Sequence, residues 1–409
     1  MVKHNMNYSQ ARRRTFLKTS IAGATLGTLA GCLGELRGGD DDTITIGGLQ
    51  PYSGPFADFS AAYDPGIEFA LQEINDDGGV LDKEVSYESI DTETDPREAN
   101  TAATRLVEGD GAVALVGPVS SDVGVATANT VEDLEVPLFL HAAGDHQILT
   151  TDSRYTFRVG HLPAPTTIQA QAEVVEEEGY DEVAAIIGDY AWGRAVEASI
   201  EEFFPVDVQI EVAPFEEDNF NPYLRNLSDD VEFLVGSGHP SGVHAMFSQM
   251  LEIGIEPDLF TAGLQEPTAS YNAIGDDISR GFAFFHQPDV YAAEYVEVAD
   301  RFYEETGEYF GSTQALGYVT THLIAAGIEA ADSEDPSEIS AAIRDIEHDT
   351  LFSTPLEYSD WGELDNQSQI YSEFELEPPE YYPDGDFGLV ESFRSEPLEP
   401  YNPEEMPID

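Results

Sequence analysis

The sequence predicts an α/β fold built as two doubly wound lobes, and three features predict it. From Thr43 onward, short apolar runs of strand length alternate with amphipathic stretches of helix length. The alternation occurs twice, and between the two runs lies His161-Leu162-Pro163-Ala164-Pro165, where paired prolines suit a crossing between lobes. The 409 residues, 41% hydrophobic and 11% aromatic, also exceed what one core usually serves.

The chain opens with Arg12-Arg13-Arg14-Thr15-Phe16-Leu17-Lys18, an apolar run from Ile21, then Leu29-Ala30-Gly31-Cys32. A basic start, a short apolar segment and a small-residue site describe an export signal too short to span a bilayer. The paired arginines point to the twin-arginine (Tat) route. LAGC resembles a lipobox, which would make residues 1–31 a removable signal peptide and place a lipid on Cys32. The other reading leaves Cys32 an ordinary thiol in a discarded peptide. As the only cysteine it excludes an intrachain disulfide. Residues 38–42 are a polar linker.

Residues 43–50 read as a strand ending in Pro51-Tyr52-Ser53-Gly54-Pro55-Phe56. A helix over 63–76 turns Ile67, Ala70, Leu71 and Ile74 inward and is closed by Gly78-Gly79. Residues 85–91 form a strand, and Asp95-Pro96 starts the next helix as N-cap and first-turn proline. Residues 112–116 are a buried strand ended by Gly117-Pro118. The helix after it carries Val123, Ala126, Thr130, Val131 and Leu134 as one stripe, and 136–140 is the next buried strand. In a parallel sheet that crossover is right-handed. Ser120-Ser121 thus sits where a strand ends and a helix begins, a place where unpaired N–H groups and the helix dipole favour an anion. The alternative is that Ser121 merely caps the helix.

Residues 155–160 are the last strand of the first run. The second run has strands at 182–187, 209–215, 231–235, 259–262 and 281–285, with helices near 166–178, 192–204, 221–227, 241–253 and 267–274. Helices at 291–306, 313–331 and 336–347 precede a strand-rich end. The Pro- and Glu-rich residues 377–409 read mostly as an extended, wrapping or disordered tail. In doubly wound sheets ligands bind beyond the carboxyl ends of strands. That rule draws together Ser120-Ser121 and residues 142–145, 189–193, 236–240 and 263–267.

The formal net charge is −63. Without residues 1–31 it becomes −68, with 12 basic residues against 80 acidic ones and Lys83 as the only lysine. Phosphate recognition needs a basic face, so a nucleic-acid partner is excluded. At about 1 M salt the Debye length is only ~3 Å and carboxylate repulsion is largely screened. The composition therefore looks halophilic, an adaptation to solvent rather than a clue to function.

With its loops in place, the chain resembles the substrate-binding proteins of ABC importers for branched-chain amino acids, the Leu/Ile/Val-binding type, over residues 43–376. The carriers are Ser53-Gly54-Pro55, the helix ending Glu73-Ile74-Asn75 before Gly78-Gly79, Asp91 followed by Asp95-Pro96, then GPVSS, VPLFLHAAG and GDYAWG. The resemblance implies a type I periplasmic-binding-protein fold, two lobes joined by a three-crossing hinge. Lobe 1 would take 43–162 plus 287–352, and lobe 2 would take 163–286 plus 353–376. Residues 32–42 would be linker and 377–409 an extension. The resemblance further implies that Ser121, with Ser120 beside it, holds a ligand α-carboxylate, assisted by Ala142 and Gly144. Trp192 would pack on the ligand and Glu266 would take its ammonium. Gly144 lacks the usual hydroxyl, Phe59 replaces a tyrosine, and Gly238 stands where a bulky aromatic often sits. Asp122 adds negative charge at the same helix start. These departures point to a ligand bulkier or less polar than leucine.

The expected function is binding, not catalysis. A monomeric receptor, lipid-anchored to the outer face of the cell membrane, captures a small amphipathic solute, a branched-chain or other hydrophobic amino acid. It delivers that solute to ABC permease subunits. The alternative is binding or sensing of an amide, a urea-type or another small solute on the same fold. A lipid-anchored hydrolase would need Ser121 as nucleophile. GxSxG, HExxH and GxxxxGK are absent, so hydrolase, zinc-protease and P-loop chemistry lack support and no cofactor is expected. His141 and His146 have no second ligand cluster at fixed spacing, so no metal is expected either. Ser237 and His239 are neighbours in sequence, which rarely makes a catalytic pair, and Trp192 could equally be core.

Overall fold

The computed structural model describes residues 42–239, 242–376 and 387–408; the expected export signal, Cys32 and most of the expected linker lie outside them. In the first lobe, β1 (Thr43–Gln50), α1 (Ala57–Asp76), β2 (Glu84–Asp91), α2 (Pro96–Glu108), β3 (Ala114–Val116), α3 (Ser121–Leu134), β4 (Leu138–Leu140) and β5 (Thr156–Arg158) alternate as expected. The five strands are all parallel, in the order β2-β1-β3-β4-β5. Strand order therefore reverses between β1 and β3.

The second lobe repeats the plan with α4 (Ala164–Glu178), β6 (Val183–Gly188), α5 (Ala191–Phe203), β7 (Val208–Ala213), α6 (Asn221–Leu224), β8 (Phe233–Ser237), α7 (Val243–Glu252), β9 (Leu259–Ala262), α8 (Pro267–Ile274) and β10 (Phe282–His286). Its parallel strands run β7-β6-β8-β9-β10, so the reversal falls between β6 and β8. Then come α9 (Ala293–Thr306), α10 (Ser312–Ala331), α11 (Pro336–Asp345), the short ribbon β11 (Glu357–Tyr358) and β12 (Leu364–Asp365), and finally β13 (Ile370–Glu375) and β14 (Gly388–Arg394). The last two strands extend the second sheet antiparallel beyond β10.

Local chemistry explains several boundaries. Asp95 accepts from Arg97 N (2.7 Å) and Glu98 N (3.2 Å), and Asp335 does the same for Ser337 N and Glu338 N, each with proline at the first helical position. Asn75 holds both Val85 N (2.8 Å) and Val85 O (2.9 Å), tying the end of α1 to β2. Ser53 binds Asp91 through its hydroxyl (2.8 Å) and its amide (3.2 Å), joining the loops that follow β1 and β2.

The helix expected over 63–76 begins earlier, at Ala57, and runs through Pro65. Gly66 beside that proline lets α1 touch α10. A Cβ at Gly66 would collide with the Gln314 carbonyl, and one at Gly317 with that of Tyr63. Glu73 adds polar ties, accepting from Tyr318 Oη (2.7 Å) and from Arg301 (3.0 Å). The helices α9 and α10 thus complete the core of the first lobe, with Phe302, Leu316, Val319 and Ile324 buried in it.

The chain passes between sheets after β5, after β10 and again before β13. The third passage, expected from residue 353, occurs only after β12. Residues 357–365 stay on the first lobe because Glu363 is buried against Arg158 and Tyr358 packs edge-on to Phe157 (5.3 Å, 81°). The segment 377–409, read mostly as an extended, wrapping or disordered tail, contains β14, whose neighbourhood buries Phe387 and Leu389. After β14 the chain makes a fourth passage. Ser395 N donates to Gln369 O (3.0 Å), Leu398 N to Gln367 O (2.9 Å), and Thr151 Oγ1 to Glu404 (2.6 Å), before His146 Nε2 meets the Ile408 carbonyl (3.2 Å). Buried Gln287 and Gln369 bond to each other across these passages (3.0 Å).

Candidate functional site

Both reversals of strand order open toward one cavity. The first lobe contributes Phe56 and Phe59 from the stretch after β1, Val119 and Ser121 from the stretch after β3, and Ala142 after β4. The second contributes Tyr190 and Trp192 after β6, Gly236, Gly238 and His239 at the end of β8, and residues 263–265 after β9. His161, on the first passage, lies between them. The cavity volume is about 60 Å³, a few times the ~10–15 Å³ that one water needs.

Ser121 does not cap its helix. Its Oγ accepts from Gly144 N (3.1 Å) and Asp145 N (3.2 Å), fixing the loop after β4 against the start of α3. The hydroxyl proton stays available to a ligand, beside the N–H groups of the first turn. Ser120, the residue before the helix, is buried but does not line the cavity. Asp122 points to Arg194 of α5 (3.8 Å) at an exposed position, which partly offsets its charge.

The same loop is held from behind by Arg158, a fully buried arginine. It forms a fork with Glu363 (2.7 and 3.0 Å) and donates to the carbonyls of Ala143 (2.6 Å) and Asp145 (3.2 Å). Burial raises the Asp145 carboxyl, while its side chain accepts from Gln147 N (2.7 Å).

Trp192 donates through Nε1 to Ser237 Oγ (2.9 Å) and stands edge-on to His161 (4.5 Å, 84°). Its ring lies over Gly144, where any Cβ would strike it, so the hydroxyl side chain missing at 144 has no room here. Gly144 therefore backs the tryptophan and does not line the cavity. Rings from the two lobes also meet, with Phe56 of the first against Phe215 (5.4 Å) and Tyr190 (6.3 Å) of the second.

The space expected at Gly238 is taken up by Tyr190, whose ring would sit 3.0 Å from a Cβ there. Glu266 is not in the cavity wall. Its carboxylate accepts from Thr268 N (3.3 Å) and Ala269 N (2.7 Å) and caps α8, in the acid-then-proline arrangement seen at α2 and α11. Desolvation raises its pKa, opposed by those two amides. The structure thus gathers Phe59, Ser121, Ala142, Trp192 and Gly238, and sets Ser120, Gly144 and Glu266 back from the cavity.

His161, His239 and Gln265 line the cavity although sequence reasoning assigned none of them a binding role; His239 and Gln265 do fall in strand-end loops that the carboxyl-end rule marks. Burial lowers both histidines to about 4, so each is neutral at pH 7. His161 Nδ1 donates to the Leu162 carbonyl (3.0 Å). His141 stacks on Tyr63 (4.3 Å, 19°) while His146 bonds to Ile408, so these two do not converge on one ion.

Residues 43–371 match the family model described as a periplasmic binding protein. A leucine-, isoleucine-, valine-, threonine- and alanine-binding protein of Pseudomonas aeruginosa is 24% identical over 377 residues, covering 88% of this chain and 94% of that one. The branched-chain amino acid substrate-binding protein LivJ from Streptococcus pneumoniae, solved with isoleucine, superposes with a TM-score of 0.72 at 18% identity, covering 85% of this chain and 99% of that one. A solute-binding protein from R. palustris, solved with benzoate, superposes with a TM-score of 0.73 at 19% identity over 87% and 97%. These relatives bind solutes and are not enzymes. The chain belongs to the periplasmic binding protein family.

Proposed function

We propose that this protein is an extracytoplasmic receptor, lipid-anchored through Cys32, that closes two lobes on a small amphipathic solute and delivers it to ABC permease subunits. The observation behind this reading is the convergence of both strand-order reversals on one cavity. Ser121 and the first turn of α3, with Ser120 behind them, receive a carboxylate. Phe59, Ala142, Trp192 and Gly238 surround the apolar body. The Pseudomonas relative and the isoleucine complex support a branched-chain or other hydrophobic amino acid; the benzoate complex supports an acid without an amine. Protein purified in molar salt should release a small carboxylic acid on unfolding, identified by mass spectrometry. If it carries no solute and binds none from a pool of amino and organic acids, the receptor reading fails.

No helix among the described residues is long and apolar enough to cross a membrane. Cys32→Ser should therefore leave the protein exported but recovered in the soluble fraction. A mutant that sediments with membranes as wild type does would remove the lipid assignment.

A further inference from the structure

We propose that the cleft selects a monocarboxylate whose body carries no ammonium group, and that His239 reads an uncharged polar atom of that body. This rests on the receptor reading above and narrows its ligand. A buried ammonium needs a carboxylate within reach. Among the described residues lining the cavity there is none: the polar groups are Ser121, His161, Tyr190, Trp192, His239 and Gln265. Glu266 is engaged by two amides of its own helix, and turning it inward would strip both of their acceptor. Asp122 and Asp189 sit exposed at the mouth beside Arg194.

At the carboxylate end, α3 supplies fourteen residues of helix and a buried serine at its start. The independent observation is His239. It is 2% exposed, lines the cavity, and packs edge-on to Phe220 (4.9 Å, 86°). Neither ring nitrogen completes a hydrogen bond, although the backbone at Ala213, Ser237 and Pro214 lies near the ring. A buried donor and acceptor left unmatched is costly, and a ligand that satisfies them recovers that cost on binding. A neutral imidazole offers one N–H and one lone pair, which suits a hydroxyl or carbonyl. It offers no charge to a second carboxylate, and this limits the ligand to one.

Calorimetry of the mature chain in molar salt tests this with L-leucine, 4-methylpentanoate (the same skeleton without the amine), 4-methylpentanamide, benzoate and 4-hydroxybenzoate. The expected result is 4-methylpentanoate binding about tenfold or more tighter than leucine and than the amide. His239→Ala should weaken 4-hydroxybenzoate about five- to tenfold and benzoate less than about threefold. His239→Gln, which keeps a donor and an acceptor, should restore most of that difference and shows that the site still folds. Glu266→Gln should move no carboxylate affinity by more than about threefold. Leucine binding more tightly than 4-methylpentanoate, and weakened by Glu266→Gln, overturns the inference and leaves the receptor intact. If none of the five binds, the receptor reading falls with it.

Discussion

Replacing Arg158 with leucine will destabilise the fold by about 3–5 kcal/mol, the usual cost of removing one partner from a buried ion pair. Glu363 would remain buried with an uncompensated charge, and the carbonyls of Ala143 and Asp145 would lose their donors. Glu363→Leu should cost a similar amount by stranding the guanidinium. The double replacement should be milder than either single one, because it removes both charges, yet not neutral, because the two carbonyls stay unpaired. Ligand affinity should fall with Arg158→Leu as well, since the loop carrying Ala142 and Gly144 loses its anchor. Denaturant unfolding in molar salt measures the first effect. A loss below about 1 kcal/mol, the worth of one ordinary hydrogen bond, would show that the pair does not hold this loop.

Dilution from about 1 M to about 0.1 M salt should unfold the protein in whole or in part. The Debye length grows from ~3 to ~10 Å over that change, and the −68 of residues 32–409 begins to repel across the surface. Several of the few cations are already committed: Lys83 to Glu334, Arg280 to Glu256 and Asp277, Arg301 to Glu73, Arg394 to Asp289 and Glu391. Most of the 80 acidic residues therefore have no cation to answer them. A melting temperature that is the same at both salt concentrations would rule out salt adaptation.

Most strands were legible as apolar runs of the right length, β2 and β7 being more mixed, and the ten parallel strands fall within a few residues of their expected positions. The start of α1 was not, because Pro65 argues locally for a later beginning. Ser121 illustrates a limit of local reading. A serine at a helix start is usually a cap, and here a loop arriving 23 residues later takes its oxygen instead. Glu266 shows the opposite error. Glu266-Pro267 repeats the Asp95-Pro96 and Asp335-Pro336 pattern, so its capping role was visible in the sequence and was outweighed by the family resemblance. The placement of residues 357–365 depends on a pairing 205 residues apart, which no window reveals. His239 stands out only once its ring nitrogens are seen to lack partners.

The fourth passage bears on the timing of folding. The first lobe contains β1 to β5 from early in the chain, α9 to α11 from beyond the whole second lobe, and a last strip whose final contact is at Ile408. A ribosome making this chain releases the second lobe's five parallel strands before the helix that packs on α1 exists, and the strip across Thr151 and His146 comes after β14. Contacts that join residues more than 250 positions apart carry a large closure cost and form late. The first lobe therefore cannot be finished before residue 408 has been made. Vectorial folding, domain by domain from the amino end, is closed to this topology.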